Sequence, residues 1–349
     1  MYPRQTTLHR EGSGWPRHGA VRGSTGESVE HSVTESSPAF RDPEQQKCFE
    51  EKGYVIVRLL EPEQAASFRS QIAGRIPAQP AINDPQGGMY NTAFDSGVSR
   101  CLPDQLEMVR TERLDQLLAG YRDIGACVMG KVAGSGRLDL HQHQPSTSNI
   151  FAKVIHCWMT LDDVDADHGA LRIVPGSHRI LRHIQSFDSA PYFAGFQSEL
   201  EADFAVAVPM KAGEAILMDG SLLHGSCPNP SVHTPLRVFS VHVPSDEPFC
   251  IIVESEGLRF DAYAAEGKSI DPNLHCMAGG SLDGLEHMGR LDARNTPLTR
   301  AEFEALLALG ERIAPGFDPI DVVRSAAAPD TAKPIWQRIG RLLGRREAA

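Results

Sequence analysis

Six short runs of β-prone residues between positions 123 and 245 constrain the fold more than any other feature of this 349-residue chain. Gly, Pro, Asp and Asn separate the runs. Many short strands at such spacing are typical of a sandwich or barrel, such as a double-stranded β-helix of the jelly-roll, cupin-like type. In chain order the runs are IGACVMGKV, NIFAKVIHCWMTL, GALRIVP, FAVAVPM, GEAILMDG and LRVFSVHV. Helix patterns precede them, so we expect a mainly β protein with flanking helices, of the α+β class.

The segment before these runs carries helix-start and helix-stop signals. Asp42 is the predicted N-cap of a helix with Pro43 at its first position, and Gly53 ends that helix. YVIVRLL then predicts a buried strand, and Glu61-Pro62 opens a second helix. Near the other end of the chain, Thr299 and Glu302 have the spacing of a capping box.

Composition divides the chain into three parts. Residues 1–41 are rich in Gly, Ser, Thr, Arg and His without a hydrophobic period, which predicts a disordered arm. Residues 42–315 form the predicted domain, within which 246–295 is hard to assign. Residues 316–349 are a tail whose KPIWQRIGRLLGRR segment predicts a basic amphipathic helix. Such a helix docks on its own domain or contacts a membrane surface.

The overall charge and the cysteines exclude several functions. The chain has 34 basic and 45 acidic residues, a net charge of −11, which gives no general attraction to nucleic acid. No apolar run approaches the roughly 20 residues that span a bilayer, so no transmembrane segment is expected. Seven cysteines, an odd number without a C-x-x-C motif, favour reduced thiols and a cytoplasmic location.

The segment DLHQHQ at 139–144 predicts a metal site. In an extended strand Asp139, His141 and His143 point to one face, because side chains two residues apart share a face. Two histidines at this spacing need a third ligand from elsewhere. His224, in LMDGSLLHGSCPN, follows a β-run and is the candidate.

Arg237 lies inside the last β-run, LRVFSVHV. A guanidinium in an apolar strand is costly unless it is paired. The residue is therefore either exposed on an edge strand or a bidentate clamp for a carboxylate near the metal.

Taken together, the segments HQHQPS, WMTLDDVDADHGALRIVPGSHR and LLHGSCPN, followed by Arg237, resemble the phytanoyl-CoA dioxygenase family over roughly residues 44–245. The resemblance implies an oxidoreductase that uses iron(II), 2-oxoglutarate and O2 on a small-molecule substrate. It implies a facial triad of two histidines and the carboxylate of an H-x-D motif, with His141 and His224 as the histidines. It also places Arg237, Ser226 and Lys131 at the co-substrate.

His143 occupies the position at which the family has the aspartate, and this departure leaves three interpretations open. His143 binds the metal and an oxygenase with three histidine ligands results; or it turns away and Asp139 or a water takes the place; or the site no longer catalyses. Asp139 would sit about 7 Å from His141 along the strand, which suits an acceptor that orients His141 better than a ligand. A halogenase, in which Gly or Ala replaces the carboxylate, is disfavoured because His143 fills the gap.

Three functions follow from these interpretations. The first is an iron(II)- and 2-oxoglutarate-dependent dioxygenase, a hydroxylase of a small-molecule or lipid-like substrate with H-x-H in place of H-x-D. The second is a non-catalytic metal- or ligand-binding relic of the fold. The third is a three-histidine dioxygenase that does not use 2-oxoglutarate.

Overall fold

Two capped helices open the described part of the chain. Helix α1 (Pro43–Lys52) begins after Asp42, whose side chain accepts a hydrogen bond from the backbone N–H of Gln45 at 2.9 Å, and it ends at Gly53, with φ of 84°. Strand β1 (Tyr54–Arg58) and helix α2 (Pro62–Ala73) follow, and a capping box at Glu61 begins the second helix. These boundaries confirm the start and stop signals in the sequence.

The structure, a computed structural model, describes residues 38–76, 88–91, 104–149, 152–180, 191–255, 259–265, 282, 284–291 and 297–309. The further helices in these ranges are α3 (Asp104–Leu117), α4 (Gln197–Asp203) and α5 (Arg300–Leu309). The strands of the β-region are β2 (Met89–Asn91), β3 (Tyr121–Lys131), β4 (Leu138–His141), β5 (Ile155–Thr160), β6 (Leu171–Ile173), β7 (Val206–Val208), β8 (Glu214–Asp219), β9 (His224–Ser226) and β10 (Leu236–Pro244).

These strands form two antiparallel sheets. One sheet has six strands in the order β1-β8-β5-β10-β3-β2, and the other has four in the order β4-β9-β6-β7. Each of the six β-prone runs of the sequence contains a strand, and the helices flank the sheets. The prediction of a mainly β, double-stranded β-helix fold with flanking helices is confirmed.

Apolar side chains fill the layers on both sides of the six-stranded sheet. On the outer side, Phe49, Phe68 and Leu114 of the three N-terminal helices belong to one buried cluster with Leu217 and Val238 of the sheet. On the inner side, a second cluster joins residues of both sheets, among them Trp158, Ile173, Val208, Ile216 and Met218. Each such side chain contributes about 1.5–3 kcal/mol of burial free energy, so the sheet is held from both faces.

A third sheet covers part of the region that the sequence left unassigned. It consists of β11 (Cys250–Ser255), β12 (Arg259–Ala264) and β13 (His287–Leu291), in that order. The backbone N–H of Cys250 donates to the carbonyl of Ser146 at 2.9 Å, and Thr147 and Phe249 form an isolated bridge. This sheet therefore fixes the segment that follows the DLHQHQ motif.

The ends of the chain are described only in part. Most of the predicted arm (1–37) and all of the predicted tail helix lie outside the described residues. Ala39 and Phe40, which the sequence assigned to the arm, are buried, and the side chain of Gln46 accepts hydrogen bonds from both of their backbone N–H groups. The predicted capping box of Thr299 and Glu302 is present at the start of α5. Among the helices of the described ranges, none is both long and apolar enough to cross a membrane.

Candidate metal and co-substrate site

Two neighbouring strands of the four-stranded sheet carry two of the predicted metal ligands. Strands β4 and β9 are antiparallel, and His141 lies directly opposite His224. The register shifts between Leu138 and His141, which bends the end of β4. Strand pairing therefore brings together two histidines that are 83 positions apart in the sequence.

The third predicted ligand, His143, completes a cluster of imidazoles. One ligand atom from each of His141, His143 and His224 lies within 4.8 Å of the other two. The Nε2 atoms of His143 and His224 are 2.9 Å apart. Two nitrogens bound at right angles to one metal ion, each at about 2.1 Å, would lie about 3.0 Å apart, so this spacing fits two adjacent ligands of a single ion.

Main-chain carbonyl groups orient two of the rings. The Nδ1–H of His141 donates to the carbonyl of Asp139 at 2.9 Å, and the Nδ1–H of His224 donates to the carbonyl of Leu222 at 2.8 Å. A histidine that donates through one ring nitrogen directs the lone pair of the other to a metal. In both residues Nε2 is then the nitrogen that can coordinate a metal.

The sequence predicted that His143 lies within the same strand as His141. In the structure it lies beyond the end of β4. Its backbone N–H donates to the carbonyl of Gly220 at 2.9 Å. Its ring is parallel to that of His224 (4.7 Å between centroids) and stacks on Phe239 at 5.6 Å. The ring of His143 thus faces the other two, whereas the second interpretation from the sequence had it turn away.

Asp139 orients His141 through its main chain and not through its carboxylate. The carboxylate is half exposed and lies 3.4 Å from the guanidinium of Arg137. Among the described residues, the group that could hold a metal contains no carboxylate. The sequence correctly predicted an acceptor at Asp139 for His141, but the acceptor is a carbonyl oxygen.

Burial keeps two of the three imidazoles, those of His143 and His224, uncharged. Desolvation lowers the pKa of His143 and of His224 well below the usual value of 6.5, and the neighbouring histidines lower it further. Histidine binds metal only in the neutral form. The site is therefore prepared for a cation at neutral pH.

Arg237 is buried in the centre of the six-stranded sheet, since β10 lies between β5 and β3. An exposed edge-strand arginine, the alternative from the sequence, is excluded. Its Nη2 donates to the carbonyl of Gly169, while Nε and Nη1 have no hydrogen-bond partner among the described residues. Burial lowers its pKa to about 10, so the guanidinium remains charged at neutral pH.

Ser226 and Lys131, the other predicted co-substrate residues, lie in different environments. Ser226, at the end of β9, is buried, and its hydroxyl has no partner among the described residues. Lys131 is fully buried and its ammonium group donates to the carbonyl of Gly136 at 2.6 Å. Gly169 adjoins Lys131: with φ of 67°, a Cβ there would lie 2.4 Å from the Cγ of Lys131, so only glycine fits.

Other histidines and arginines from the sequence motifs have structural roles. The Nε2–H of His178 donates to the carbonyl of Glu50 at 3.1 Å. His233 is about half exposed and contacts Asp162. Arg172 pairs with the buried Glu201 at 3.0 Å.

Two further residues beside the histidine cluster lie outside the sequence motifs that predicted the metal site. Phe239 stacks on His143, and the ring of His156 lies 3.9 Å from that of His143. The alternation of side chains between the two faces of β5 and β10 was the only sequence signal for the positions of both residues. It did not show which face of the sheet would lie against the three histidines.

A double-stranded β-helix with converging imidazoles and a buried arginine defines a protein that can hold a non-haem metal ion beside an anionic ligand. The chain belongs to the phytanoyl-CoA dioxygenase family, whose sequence model matches residues 49–235, just over half of the chain. The family predicted from the sequence is confirmed.

Individual relatives match shorter segments. Phytanoyl-CoA dioxygenase domain-containing protein 1 of Danio rerio is 27% identical over 114 residues, 30% of this chain and 39% of that protein. Phytanoyl-CoA dioxygenase of Arabidopsis thaliana is 30% identical over 120 residues, 33% of this chain and 38% of that protein. The matches thus span about two fifths of these relatives.

Solved structures with a similar chain path include the carbocyclase SnoK of nogalamycin biosynthesis, described as non-haem and α-ketoglutarate-dependent. It has a TM-score of 0.48 and 17% identity, over 60% of this chain and 86% of that chain. HygX of Streptomyces hygroscopicus, with nickel, 2-oxoglutarate and hygromycin B bound, has a TM-score of 0.44 and 17% identity, over 62% of this chain and 94% of that chain.

Proposed function

We propose that the chain is an iron(II)- and 2-oxoglutarate-dependent dioxygenase in which three neutral imidazoles hold the metal. The observation that carries the proposal is the convergence of His141, His143 and His224 within 4.8 Å of one another. Three facial nitrogen ligands leave three positions of an octahedral ion open. Iron(II) bound there would supply the activation of O2 that oxidises the substrate, with 2-oxoglutarate as the electron donor.

The unpartnered atoms of Arg237 support a carboxylate ligand. A buried charge without partners is costly, and a guanidinium fits a carboxylate through two parallel hydrogen bonds. The orphaned Nε and Nη1 of Arg237 and the hydroxyl of Ser226 are donors of this kind. We assign them to the distal carboxylate of 2-oxoglutarate, with Lys131 as a further candidate on the other side of Gly169.

The side chains around the site have distinct tasks in this proposal. The carbonyls of Asp139 and Leu222 hold two imidazoles in a fixed tautomer, and the segment after His143 is fixed by the third sheet. Phe239 and Trp158, whose rings are 5.4 Å apart, form an apolar wall that excludes water from the co-substrate. Replacing aspartate by neutral His143 leaves the metal site one charge unit more positive, which favours a dianionic co-substrate.

The two competing functions make different predictions. A binding relic predicts that ligand binding is indifferent to His224→Ala. A three-histidine dioxygenase without 2-oxoglutarate leaves the orphaned atoms of Arg237 and Ser226 unexplained. We propose that the reaction is hydroxylation of a small-molecule or lipid-like substrate, in line with the phytanoyl-CoA in the relatives' names. The cytoplasmic location stays a prediction from the sequence. Contact of the C-terminal tail with a membrane surface also stays a prediction.

The test is aerobic turnover of the iron(II)-loaded protein, measured as succinate formed from 2-oxoglutarate. We expect succinate from the wild-type protein and at least a tenfold loss in Arg237→Ala. Arg58→Ala is the matched control, because Arg58 pairs with Glu214 at the sheet edge. Metal binding without 2-oxoglutarate binding, as measured by titration calorimetry, would contradict the proposal.

A further inference from the structure

His156 is a fourth imidazole at the cluster, and its hydrogen-bonding capacity is unused. It is only 2% exposed, and its ring meets that of His143 edge-on at 3.9 Å. Neither Nδ1 nor Nε2 has a hydrogen-bond partner among the described residues. A buried polar atom left unpaired is energetically costly, so an enclosed ligand that pairs with it would recover that free energy.

Other buried histidines in this protein show how a structural imidazole is satisfied. His242, on the neighbouring strand, is 3% exposed, and its Nε2 lies 3.0 Å from the hydroxyl of Ser240. His178 donates to a backbone carbonyl. His156 has no such partner, which distinguishes it from a histidine of the core.

Strand register places His156 on the same face as the co-substrate residues. Strands β5 and β10 pair Val241 with His156, Phe239 with Trp158, and Arg237 with Thr160. Directly opposite residues of an antiparallel pair share a face, so Arg237, Phe239 and His156 line one surface. Thr160 and His156 are four residues apart, about 13 Å along the strand, so His156 lies at the metal end of the row and Arg237 at the other end.

We propose that His156 donates a hydrogen bond to the metal-proximal carboxylate of bound 2-oxoglutarate. This proposal rests on the proposed function, which places the distal carboxylate on Arg237. The carbon chain of the co-substrate then crosses the ring of Phe239, which contacts both His143 and His156. The metal-proximal carboxylate then lies beside the imidazole cluster. There the ring N–H of His156, which has no hydrogen-bond partner among the described residues, can donate to it.

The chemistry of the cluster favours a donor at this position. A neutral imidazole has one N–H donor and one lone pair, and a carboxylate only accepts. With three neutral ligands, the carboxylate of the co-substrate is the anionic group that balances the cation. A hydrogen bond to a charged group contributes about 1.5–3 kcal/mol, which corresponds to roughly a 10- to 100-fold change in affinity.

The experiment measures two affinities in variants of residue 156. His156→Phe keeps an aromatic ring against His143 and removes both nitrogens, whereas His156→Gln restores an N–H donor. In the cobalt(II)-loaded protein without oxygen, calorimetry gives the Kd of 2-oxoglutarate, and competition with a chelator gives the metal Kd. We expect the Phe variant to bind 2-oxoglutarate about 10- to 100-fold more weakly, Gln to recover most of the loss, and both to retain metal.

His242→Gln is the matched control, since its side chain lies on the opposite face of the same sheet, and it should leave both affinities unchanged. Loss of metal affinity in His156→Phe would overturn the proposal, because it would show that His156 is a metal ligand. Unchanged 2-oxoglutarate affinity in the same variant would overturn it, because it would show that His156 serves only in packing. A wild-type protein that binds cobalt(II) but not 2-oxoglutarate would refute the proposed function, a result distinct from a loss confined to the variants.

Discussion

At the scale of single residues, the histidine at position 143 sets this chain apart from the H-x-D pattern. In the proposed site, the substitution would exchange a charged oxygen ligand for a neutral nitrogen ligand, and imidazole suits nickel, copper and zinc as well as iron. The ring is held by stacking on His224 and Phe239. Its position therefore depends on packing as well as on any metal.

Removal of the His143 imidazole should weaken metal binding. We expect His143→Ala to lower cobalt(II) affinity by at least about tenfold, because one of three ligands is lost while the other two remain oriented by carbonyls. The measurement is competition with a chromophoric chelator. His168→Ala, which alters an exposed histidine beside Asp165, is the control; equal affinities in the two variants would exclude His143 from the ligand set.

Asp219 gives a pH-dependent prediction. Burial raises its pKa to about 6 from a usual 3.8, while its carboxylate accepts a hydrogen bond from the backbone N–H of Ser221 at 2.8 Å. The folded state therefore holds its proton more tightly than the unfolded state, and this carboxyl group costs stability as pH rises from about 4 to 6, with the full cost above that range.

Asp219→Asn keeps the acceptor oxygen and removes the charge. Its free energy of unfolding should exceed that of the wild-type protein, by about 1 kcal/mol more at pH 7.5 than at pH 5. Urea unfolding at the two pH values measures the difference. A gain that is larger at pH 5 than at pH 7.5 would show that the carboxyl group is not destabilised by burial.

At the scale of elements, helix α4 secures the strands that carry the metal site. Its Glu201 is buried, pairs with Arg172 of β6 at 3.0 Å and with Arg137 at 3.1 Å, and its Oε1 lies 3.4 Å from the backbone nitrogen of Leu140 in β4. One carboxylate thus ties β4 and β6 to the helix. No motif in the sequence indicated this pairing, because its partners come from two segments that are distant from the helix in the sequence.

Glu201→Gln should destabilise the fold through Arg172, whose side chain is only 15% exposed and would lose its counter-charge. We expect a decrease of about 1–3 kcal/mol in the free energy of unfolding, measured with urea. Glu199→Gln changes an exposed residue of the same helix and should have little effect. Equal stability of the two variants would mean that the buried pair makes no net contribution.

At the scale of the whole molecule, a metal ion bound at the proposed site would couple metal binding to folding. The three imidazoles come from β4, from the segment after it and from β9, so the site exists only when these strands pair in the folded protein. A ligand that binds only the folded state stabilises it, by about 2.7 kcal/mol when its concentration is 100 times its Kd. Metal occupancy should therefore change the global unfolding temperature.

Chelation with EDTA should lower the Tm of the metal-loaded protein by several degrees, and cobalt(II) should restore it. Calorimetric scans with and without chelator measure the shift. In His143→Ala the shift should be smaller, because the lost ligand weakens metal binding. A Tm that is identical with and without metal, at saturating metal, would contradict a metal site that forms only in the folded protein.

The sequence by itself determined the local elements and the candidate groups. Helix caps at Asp42, Glu61 and Thr299 depend on residues three or four positions apart, and strand alternation has a period of two, so both are legible in the chain. The motif also named the three histidines and Arg237. It wrongly placed His143 in the same strand as His141, because β4 ends at His141.

Only the tertiary structure decided which groups meet. The pairing of β4 with β9 placed His141 opposite His224, and the pairing of β5 with β10 brought His156 to the row that begins at Arg237. The orphaned nitrogens of His156 and Arg237 are likewise a property of the folded interior. The physical reason is that hydrogen bonding and burial between distant segments depend on sheet order and register, which short-range patterns do not encode.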